Sequence, residues 1–348
     1  MLEISLCTVN TILKDYNILF KAVSYTELQR YDYEEDNPES KEVRLIVKAV
    51  LQDGSSVVVR LKNESDVSVE LVEKQSQFAA LLKNYGIDTP TLYKTGQNFA
   101  KWYLIHGYHV IVTVEEFVDG ELAWIDAGLA EKSGRLLAKI HNIAEAAQFH
   151  IEYGVLFDPF TENDLFAHAD FLSYAEKFLA VDQILYENIV EIYNNYMEVL
   201  SPLKNEPRYV VQGDFSDCNL YQTQKGCLGV FDFNRCGDNN LYCDAVMQAV
   251  FQARLMNYPE GCKWRENPEG VILPAFLKGY NKERPFSETQ RYMYPYLYAV
   301  IDAFWSMDIK WSENSLIKKL EGGDTEAVRD KLETIRQKLL CLKPMPTL

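Results

Sequence analysis

Two carboxylates and one amide stand close together along the chain in a segment that is otherwise apolar. Asp214 and Asn219 are five residues apart in "VVQGDFSDCNLY", and Asp232 follows in "GVFDFN". Mg²⁺ prefers oxygen ligands and is often held by one or two carboxylates together with phosphate oxygens. Phosphoryl transfer also needs a carboxylate that accepts the proton of the attacking hydroxyl. The set therefore has the composition needed for phosphoryl transfer from a nucleotide.

The segment that joins Asn219 to Asp232 has the pattern of a β-hairpin. In "LYQTQKGCLGVF", an apolar stretch is followed by a Lys-Gly turn and a second apolar stretch. Such a hairpin brings the chain back to its starting point. We therefore expect Asp232 to lie beside Asn219 without any contact between distant parts of the chain.

The order and spacing of these residues are those of a protein-kinase catalytic loop and its metal-binding Asp. "GDFSDCN" and "DFN" resemble the aminoglycoside phosphotransferase and choline kinase-like superfamily, whose hallmark is His-Gly-Asp-x-x-x-x-Asn followed by Asp-Phe-Gly. "LLAKIHNI" and "DNNLYCDAV" extend the resemblance over most of the chain. It implies an α+β, bilobal protein-kinase-like fold, with a small β-rich N-terminal lobe and a larger, mainly helical C-terminal lobe.

The resemblance also implies roles for the three residues. Asp214 would be the catalytic base, and Asn219 and Asp232 would hold Mg²⁺, in the ATP- or GTP-dependent phosphorylation of a small-molecule hydroxyl (an aminoglycoside, choline, homoserine or sugar-like acceptor). A Gly-Asp loop often contains only a turn residue, but the matched spacings favour catalysis. The alternative is a kinase-fold protein that binds nucleotide or a partner without turnover. It predicts the loss of one member of the set, and none is lost.

The sequence departs from the superfamily pattern at two positions. Gln212 replaces the His, and Asn234 replaces the Gly after Asp-Phe. Gln can still donate and accept hydrogen bonds, and Asn tolerates the positive φ that Gly would adopt. By the same resemblance, Asp244 braces the catalytic loop, and we expect His141 to be a packed helix residue.

A kinase-type site also needs a strand cation for the donor phosphates and a helical Glu that orients it. Arg60 and Lys62 share one face of "VVVRLK"; Arg60 matches the superfamily position, and Lys62 is the alternative. Glu70 and Glu73 are neighbours on the following helix, and we choose Glu73.

A connector near Glu115–Gly120 divides the chain in this interpretation. Residues 1–117 form the nucleotide-binding lobe, and residues 118–348 form the catalytic and acceptor-binding lobe. By its position, the backbone from Glu116 to Val118 is expected to bind the edge of the nucleotide base.

The elements that must position these residues differ between the two parts of the chain. "EVRLIVKAV" and "SSVVVRLK" read as strands around an Asp-Gly turn, a helix follows from about Ser68 to Asn84, and two more strands turn at Gly107. Beyond the connector, the apolar spacing is mostly helical. "YMYPYLYAVIDAFW" is expected to border the acceptor site, where Asp302 would meet a cationic group.

Composition excludes several classes of partner. The formal net charge is −16, and a negative field opposes binding to nucleic acid and to anionic membranes. The sequence shows no signal peptide or long apolar span, and its seven cysteines form no CxxC pair. We therefore expect a cytoplasmic protein, monomer or homodimer, whose clustered cysteines are small buried hydrophobes rather than metal ligands.

Overall fold

The computed structural model describes residues 2–32, 43–64, 67–161, 163 and 165–347. The described helices are α1 (Leu6–Asp15), α2 (Val69–Asn84), α3 (Ala127–Ala147), α4 (His168–Ser173), α5 (Ala175–Lys204), α6 (Leu241–Leu255), α7 (Ile272–Glu283), α8 (Glu288–Ala303), α9 (Leu316–Glu321) and α10 (Thr325–Leu340). The described strands are β1 (Ala22–Asp32), β2 (Val43–Leu51), β3 (Ser56–Asn63), β4 (Lys101–Ile105), β5 (Tyr108–Glu116), β6 (Tyr209–Val211), β7 (Leu220–Gln222), β8 (Leu228–Val230) and β9 (Gly237–Asn239).

These elements form two compact units. The first unit contains the residues up to Leu122 together with Cys218–Asn234, and the second contains Ala123–Asp217 and the residues from Arg235 onward. The first unit therefore ends at Leu122 rather than at residue 117, and it also includes the β7–β8 hairpin. The predicted α+β class, β-rich at the N-terminus and helical towards the C-terminus, is confirmed.

The first unit is built on an antiparallel sheet with the strand order β1-β2-β3-β5-β4 among the described residues. The hairpin predicted at the Asp-Gly turn is confirmed. Val50 pairs with Ser56 at its closed end, and Gly54 takes a φ of 86° that most residues avoid. One sheet face is mainly apolar, with Leu45 and Val47 of β2 and Val59 of β3 completely buried.

Helix α2 covers the opposite face of this sheet. It begins at Val69 because the Ser68 side chain caps it by accepting the N–H of Leu71 at 3.1 Å. This start fixes which side chains face inward. The buried α2 residues are Val72, Gln75, Ser76, Phe78, Ala79 and Leu82.

The second unit is mainly helical, and it frames the loop that contains Asp214. Strands β6 and β9 pair antiparallel, Val211 opposite Gly237, at the base of this loop. Helix α6, capped by Asn240, is buried along nearly its whole length. Within the described ranges, no helix has both the length and the apolarity needed to cross a membrane.

The clustered cysteines divide into two kinds. Cys236 and Cys243 are buried, as expected, whereas Cys218 and Cys227 are exposed. The expectation that all four are core residues is therefore wrong for the two that lie on the β7–β8 hairpin segment.

Candidate functional site

One face of the N-terminal sheet carries three basic side chains. Arg60 and Lys62 lie two residues apart on β3, and the strand register places Arg44 of β2 opposite Lys62. Because side chains alternate along a strand, all three project from the same face. They line a cavity of about 60 Å³ in the first unit. Gln75, Glu115 and Asp232 also line this cavity.

Arg60 is held between two carboxylates. Its Nε donates to Glu115 at 2.8 Å, and its Nη1 donates to Asp232 at 3.1 Å. Burial by itself lowers the pKa of the guanidinium, but the charges of Glu115 and Asp232 outweigh it and raise the pKa. Arg60 therefore keeps its charge, and two fixed anions orient its planar donors. Of the two predicted strand cations, Arg60 is the one that contacts Asp232.

Sequence reasoning missed Glu115, although the sequence contains a signal for it. Glu115 lies two residues beyond Thr113 on β5, and Thr113 is the cross-strand partner of Arg60. The two β5 residues share the face that carries the cations. A carboxylate at an inward position of an apolar strand is uncommon unless it has a charged partner.

Asp232 has an uncommon backbone conformation for a residue other than glycine. Its φ is 56°, in the left-handed region, which costs about 1–3 kcal/mol and persists where the surroundings enforce it. Its Oδ1 accepts the N–H of Asn234 at 3.4 Å, and the Asn234 carbonyl accepts Nε2 of Gln75 at 2.9 Å. The expectation that Asn234 has the Gly-like backbone is wrong, since Asp232 is the left-handed residue.

The carboxyl group of Asp232 stays ionised. Burial by itself raises its pKa, but the charges of Arg60 and Lys62 and the N–H of Asn234 together hold the pKa below the ordinary value. An ionised carboxylate is the ligand that a hard divalent cation requires.

Asn219 and Asp232 lie at the two open ends of the β7–β8 hairpin, which is confirmed. Leu220 pairs with Val230, and the N–H of Phe231 donates to the Asn219 carbonyl at 3.0 Å. One carboxylate and one amide oxygen suit Mg²⁺, whose other ligands are commonly phosphate and water. In the part of the chain that the structure describes, no group of three or more His, Cys, Asp or Glu side chains is placed to hold a metal ion.

Lys62 faces the cavity without an ion-pair partner among the residues described. Burial lowers its pKa to about 8, against the opposing effect of the Glu64 and Asp232 carboxylates. The ammonium group is therefore a partly desolvated donor, and an anionic ligand would stabilise its charged form.

Glu73 does not orient Arg60. Its Oε2 accepts the N–H groups of Phe99 and Ala100 at 2.7 and 2.9 Å, so its carboxylate holds a loop of the first unit. The pairing of Glu73 with the strand cation is therefore corrected, and Glu115 takes that place. The physical reason is helix register: the Ser68 cap turns Gln75 towards the cavity and Glu73 away from it. The other candidate, Glu70, is exposed.

The predicted base-binding segment begins at Glu116, the last residue of β5. The N–H of Glu116 donates to the Thr91 carbonyl at 2.8 Å, and the N–H of Phe117 donates to Ser56 at 3.0 Å. The N–H of Val118 has no acceptor among the described residues. Val118 therefore provides the free backbone donor of this segment.

Asp214 lies in the second unit, on a tight loop that requires the preceding glycine. Gly213 has a φ of 84°, and a Cβ atom on it would lie 2.2 Å from the Arg235 carbonyl oxygen. Gln212, which replaces the superfamily His, accepts the N–H of Asp214 at 2.8 Å. The Gly-Asp sequence and the Gln before it therefore set the backbone of this loop.

Asp244 connects to this loop through a second residue. Its Oδ2 accepts Nε2 of His141 at 3.0 Å, and Nδ1 of His141 accepts the Tyr280 hydroxyl at 2.8 Å. Its Oδ1 accepts Nε2 of Gln248 at 3.2 Å. The pKa of His141 is lowered by burial, so the ring is a neutral structural residue, as expected.

Asp302 already has cationic partners within the protein. Its Oδ1 lies 2.7 Å from Arg254 and 3.3 Å from Lys338, and these contacts hold the pKa of its buried carboxyl below the ordinary value. The expectation that Asp302 meets a cationic acceptor is therefore wrong.

Asp217 accepts the N–H of Asn257 at 3.4 Å.

Comparison with known proteins decides the family. The sequence profile described as the phosphotransferase enzyme family matches residues 46–284, more than half of the chain. The chain belongs to this family. The resemblance seen in the catalytic-loop residues is thereby confirmed, and the family is one of phosphotransferases. No curated protein sequence matches the chain.

Solved structures share the fold of this phosphotransferase at low sequence identity. A microcompartment-associated aminopropanol kinase has a TM-score of 0.59 at 12% identity, covering 96% of this chain and 99% of that chain. An amicoumacin kinase, solved with AMP-PNP and Ca²⁺, has a TM-score of 0.53 at 17% identity, covering 97% and 95%. An aminoglycoside phosphotransferase from Alicyclobacillus acidocaldarius has a TM-score of 0.54 at 12% identity, covering 90% and 93%. The kinase-like fold is therefore confirmed.

Proposed function

We propose that the protein transfers the γ-phosphate of ATP or GTP to a hydroxyl group of a small molecule. The observation that carries this proposal is the contact between Arg60 and Asp232 at 3.1 Å. Arg60 and Asp232 line one cavity, and the nucleotide donor of a kinase needs both a cation for its phosphates and a carboxylate for its metal ion.

The donor is bound by residues of the first unit in this proposal. Arg60 and Lys62 bind phosphate oxygens, and the backbone of Glu116 and Val118 binds the edge of the base. Asn219 and Asp232 hold Mg²⁺, which would neutralise charge on the phosphates when bound. The AMP-PNP and Ca²⁺ in the amicoumacin kinase structure support a nucleotide donor and a divalent cation.

Asp214 is the catalytic base in this proposal. Its carboxylate accepts the proton of the acceptor hydroxyl as the hydroxyl oxygen forms a bond to the γ-phosphorus. The bond from that phosphorus to the bridging oxygen breaks, and the nucleoside diphosphate leaves with the electron pair. Arg60 binds the developing charge, which is the interaction that lowers the barrier.

The names of two structural neighbours support a choice of acceptors to test. Aminopropanol carries a hydroxyl and an amine, and aminoglycosides carry several of each. We propose an amino alcohol or aminoglycoside as the first acceptors to screen, followed by choline, homoserine and simple sugars.

The test is nucleotide consumption by the purified protein against a panel of these acceptors. Asp214→Asn is expected to lower kcat by about 100-fold to 10,000-fold, the contribution of a general base, with nucleotide affinity within about twofold because Asp214 is not a donor ligand. Asp217→Asn, on the same loop, is the matched control and is expected to retain most activity.

Two results would overturn this proposal in different ways. Nucleotide binding without turnover of any acceptor would favour the non-catalytic kinase-fold protein. Equal turnover by Asp214→Asn and the unchanged protein would remove Asp214 as the base.

A further inference from the structure

Three buried glutamines hold the backbone of the loop that contains Asp214. Gln212 accepts the N–H of Asp214 at 2.8 Å, and Gln248 accepts the N–H of Phe215 at 3.1 Å. Nε2 of Gln252 donates to the Phe215 carbonyl at 2.8 Å. The three side chains are 0%, 3% and 0% exposed, in sequence order. Side-chain amides therefore fix three polar groups of the loop backbone, the N–H of Asp214 and both the N–H and the carbonyl of Phe215.

Gln248 and Gln252 belong to a polar stripe on helix α6. Together with Asp244 they recur every four residues in "DAVMQAVFQ", so the three side chains lie on one helix face. Nε2 of Gln248 donates to Asp244 at 3.2 Å, and Nε2 of Gln252 also donates to Ser133 Oγ at 2.6 Å. The stripe ties the loop to helices α3 and α6.

The donor group of Gln252, its side-chain nitrogen, explains why this position carries an amide. Its Oε1 has no hydrogen-bond partner among the described residues, and an unpaired buried oxygen costs on the order of 1–3 kcal/mol. An apolar side chain of similar length would avoid that cost. It would also leave the Phe215 carbonyl without the donor that Gln252 supplies, so the amide is retained for its contact with the loop.

Gln248 also has a fixed orientation, because its amide oxygen and its amide nitrogen bind different partners. Its oxygen faces the N–H of Phe215, and its nitrogen faces the carboxylate of Asp244. A carboxylate at this position would oppose Asp244, and an apolar group would leave both partners unsatisfied. Only a side chain with one acceptor and one donor serves both contacts.

We propose that Gln212, Gln248 and Gln252 are positioning residues that fix the carboxylate of Asp214 for proton abstraction. This inference rests on the proposed role of Asp214 as the base. Holding the peptide groups on both sides of the Asp214 α-carbon sets the direction in which its side chain leaves the backbone. A displacement of about 1 Å at a reacting group costs on the order of 100-fold in rate.

The first experiment separates positioning from stability. Gln248→Met and Gln252→Met are expected to lower kcat by about 10-fold to 100-fold, while nucleotide affinity stays within about twofold. Ser133→Ala is the matched control: it removes the other partner of Gln252 and leaves the contact with Phe215. It is expected to lower the melting temperature by a similar amount and to keep kcat within about twofold.

A second variant adds a pH signature that loss of stability would not produce. Gln252→Glu presents a carboxylate to the Phe215 carbonyl when ionised and a donor when protonated. Its kcat, measured well below its melting temperature, is expected to rise as pH falls relative to the unchanged protein. Gln252→Met has no such group and is expected to show an unaltered pH profile.

Amide hydrogen exchange of peptides that cover 210–218 gives a readout that needs no acceptor. The N–H of Phe215 is expected to exchange faster in Gln248→Met and to stay protected in Ser133→Ala. Unchanged exchange, or kcat values that match those of Ser133→Ala, would overturn the positioning role and leave the proposed function standing. If Asp214→Asn retains full turnover, the base assignment and the positioning role both fail.

Discussion

Arg60 is oriented by a strand carboxylate rather than by a helix carboxylate. Glu115 on β5 and Asp232 after β8 hold its guanidinium at 2.8 and 3.1 Å. The α2 residues that line the same cavity are all uncharged, and one of them, Gln75, binds the Asn234 carbonyl. The direction of the cation is therefore set by Glu115 of the sheet together with Asp232, and α2 instead holds the turn that carries Asp232.

This arrangement predicts unequal effects of removing two carboxylates. Glu115→Gln weakens one of two charge-assisted bonds to Arg60, and such bonds are worth about 1.5–3 kcal/mol. We expect nucleotide affinity to fall by about 10-fold or more. Glu73→Gln serves as the control, because its carboxylate holds Phe99 and Ala100; it should lower the melting temperature and leave affinity within about twofold. Calorimetric titration with nucleotide measures the affinity of both variants. Equal losses of affinity would contradict the assignment of Glu115 as the carboxylate that orients Arg60.

The lowered pKa of Lys62 predicts how nucleotide binding depends on pH. Burial brings this pKa to about 8, while Arg44 and Arg60 oppose the charge and Glu64 and Asp232 favour it. The free protein loses the ammonium charge as pH rises through about 8, and a bound anion favours the charged form. Affinity should therefore fall above pH 8, by up to about tenfold per pH unit, with proton uptake on binding.

Titrations from pH 7 to 9.5, in buffers with different ionisation enthalpies, measure this effect. Lys62→Met should bind more weakly at pH 7 and show a flatter profile. Folding of the free protein depends on pH with the opposite sign. Between the pKa of Lys62 in the folded protein and its higher pKa in the unfolded chain, the unfolded state binds more protons. The contribution of Lys62 to the free energy of unfolding therefore rises with pH in that range.

At the residue scale, the sequence predicts what is local and misses what is not. Asp214, Asn219 and Asp232 are recognisable because their spacing along one short segment is itself the signal. Glu115 and Gln248 act on residues far away in sequence, and their partners become apparent only when strands and helices are placed. A pattern within one segment does not show how strands pair or how helices pack against them.

At the element scale, strong local signals predicted the structure well. The Asp-Gly turn predicted the β2–β3 hairpin, and the apolar spacing from about Ser68 to Asn84 predicted α2. Helix α1 was not predicted, because its short sequence "LCTVNTILKD" contains several weak helix formers. Burial of Val9, Ile12 and Leu13 stabilises it in the fold, and tertiary contacts of that kind leave no mark on local propensity.

Helices α3 and α7 cross at two glycines that admit no side chain. A Cβ atom on Gly279 would lie 1.9 Å from the Glu131 carbonyl oxygen, and one on Gly134 would lie 2.0 Å from that of Phe276. The two helix backbones therefore touch directly. The crossing sets the depth at which Tyr280 of α7 meets His141 of α3.

We predict that Gly279→Ala destabilises the protein by about 1–3 kcal/mol, the usual cost of overpacking. Gly154→Ala is the control in the same unit, because a Cβ atom there would have nothing within 4 Å. It is expected to change stability by no more than about 0.5 kcal/mol. Urea unfolding of both variants gives the comparison, and equal midpoints would show that the crossing relaxes freely.

At the scale of the whole molecule, the first unit is completed by a segment that lies nearly a hundred residues later in the chain. The N–H of Gln222 donates to Gly120 at 2.9 Å, and that of Val230 donates to Asp88 at 2.9 Å. A bridge between Glu121 and Tyr221 places the end of the first stretch beside the hairpin. No simple cut of the chain therefore isolates this unit.

A fragment experiment tests this completion. Residues 1–122 alone lack the hairpin and Asp232, and we expect them to melt at a lower temperature and to bind no nucleotide. Residues 1–122 joined to 218–234 by a short Gly-Ser linker should unfold cooperatively and regain binding. Circular dichroism and calorimetry measure both properties. Equal melting of the two fragments would contradict a structural role for the hairpin.

The cavity around Arg60 draws its walls from residues 44–115 and 232–234. A small anion that competes with the proposed nucleotide donor for this cavity would have its contacts in those two stretches. Escape substitutions selected against it should therefore gather there and spare the helices beyond residue 235. Selection from a library of all single substitutions would test this, and the escape substitutions should fall in two separate stretches of the gene.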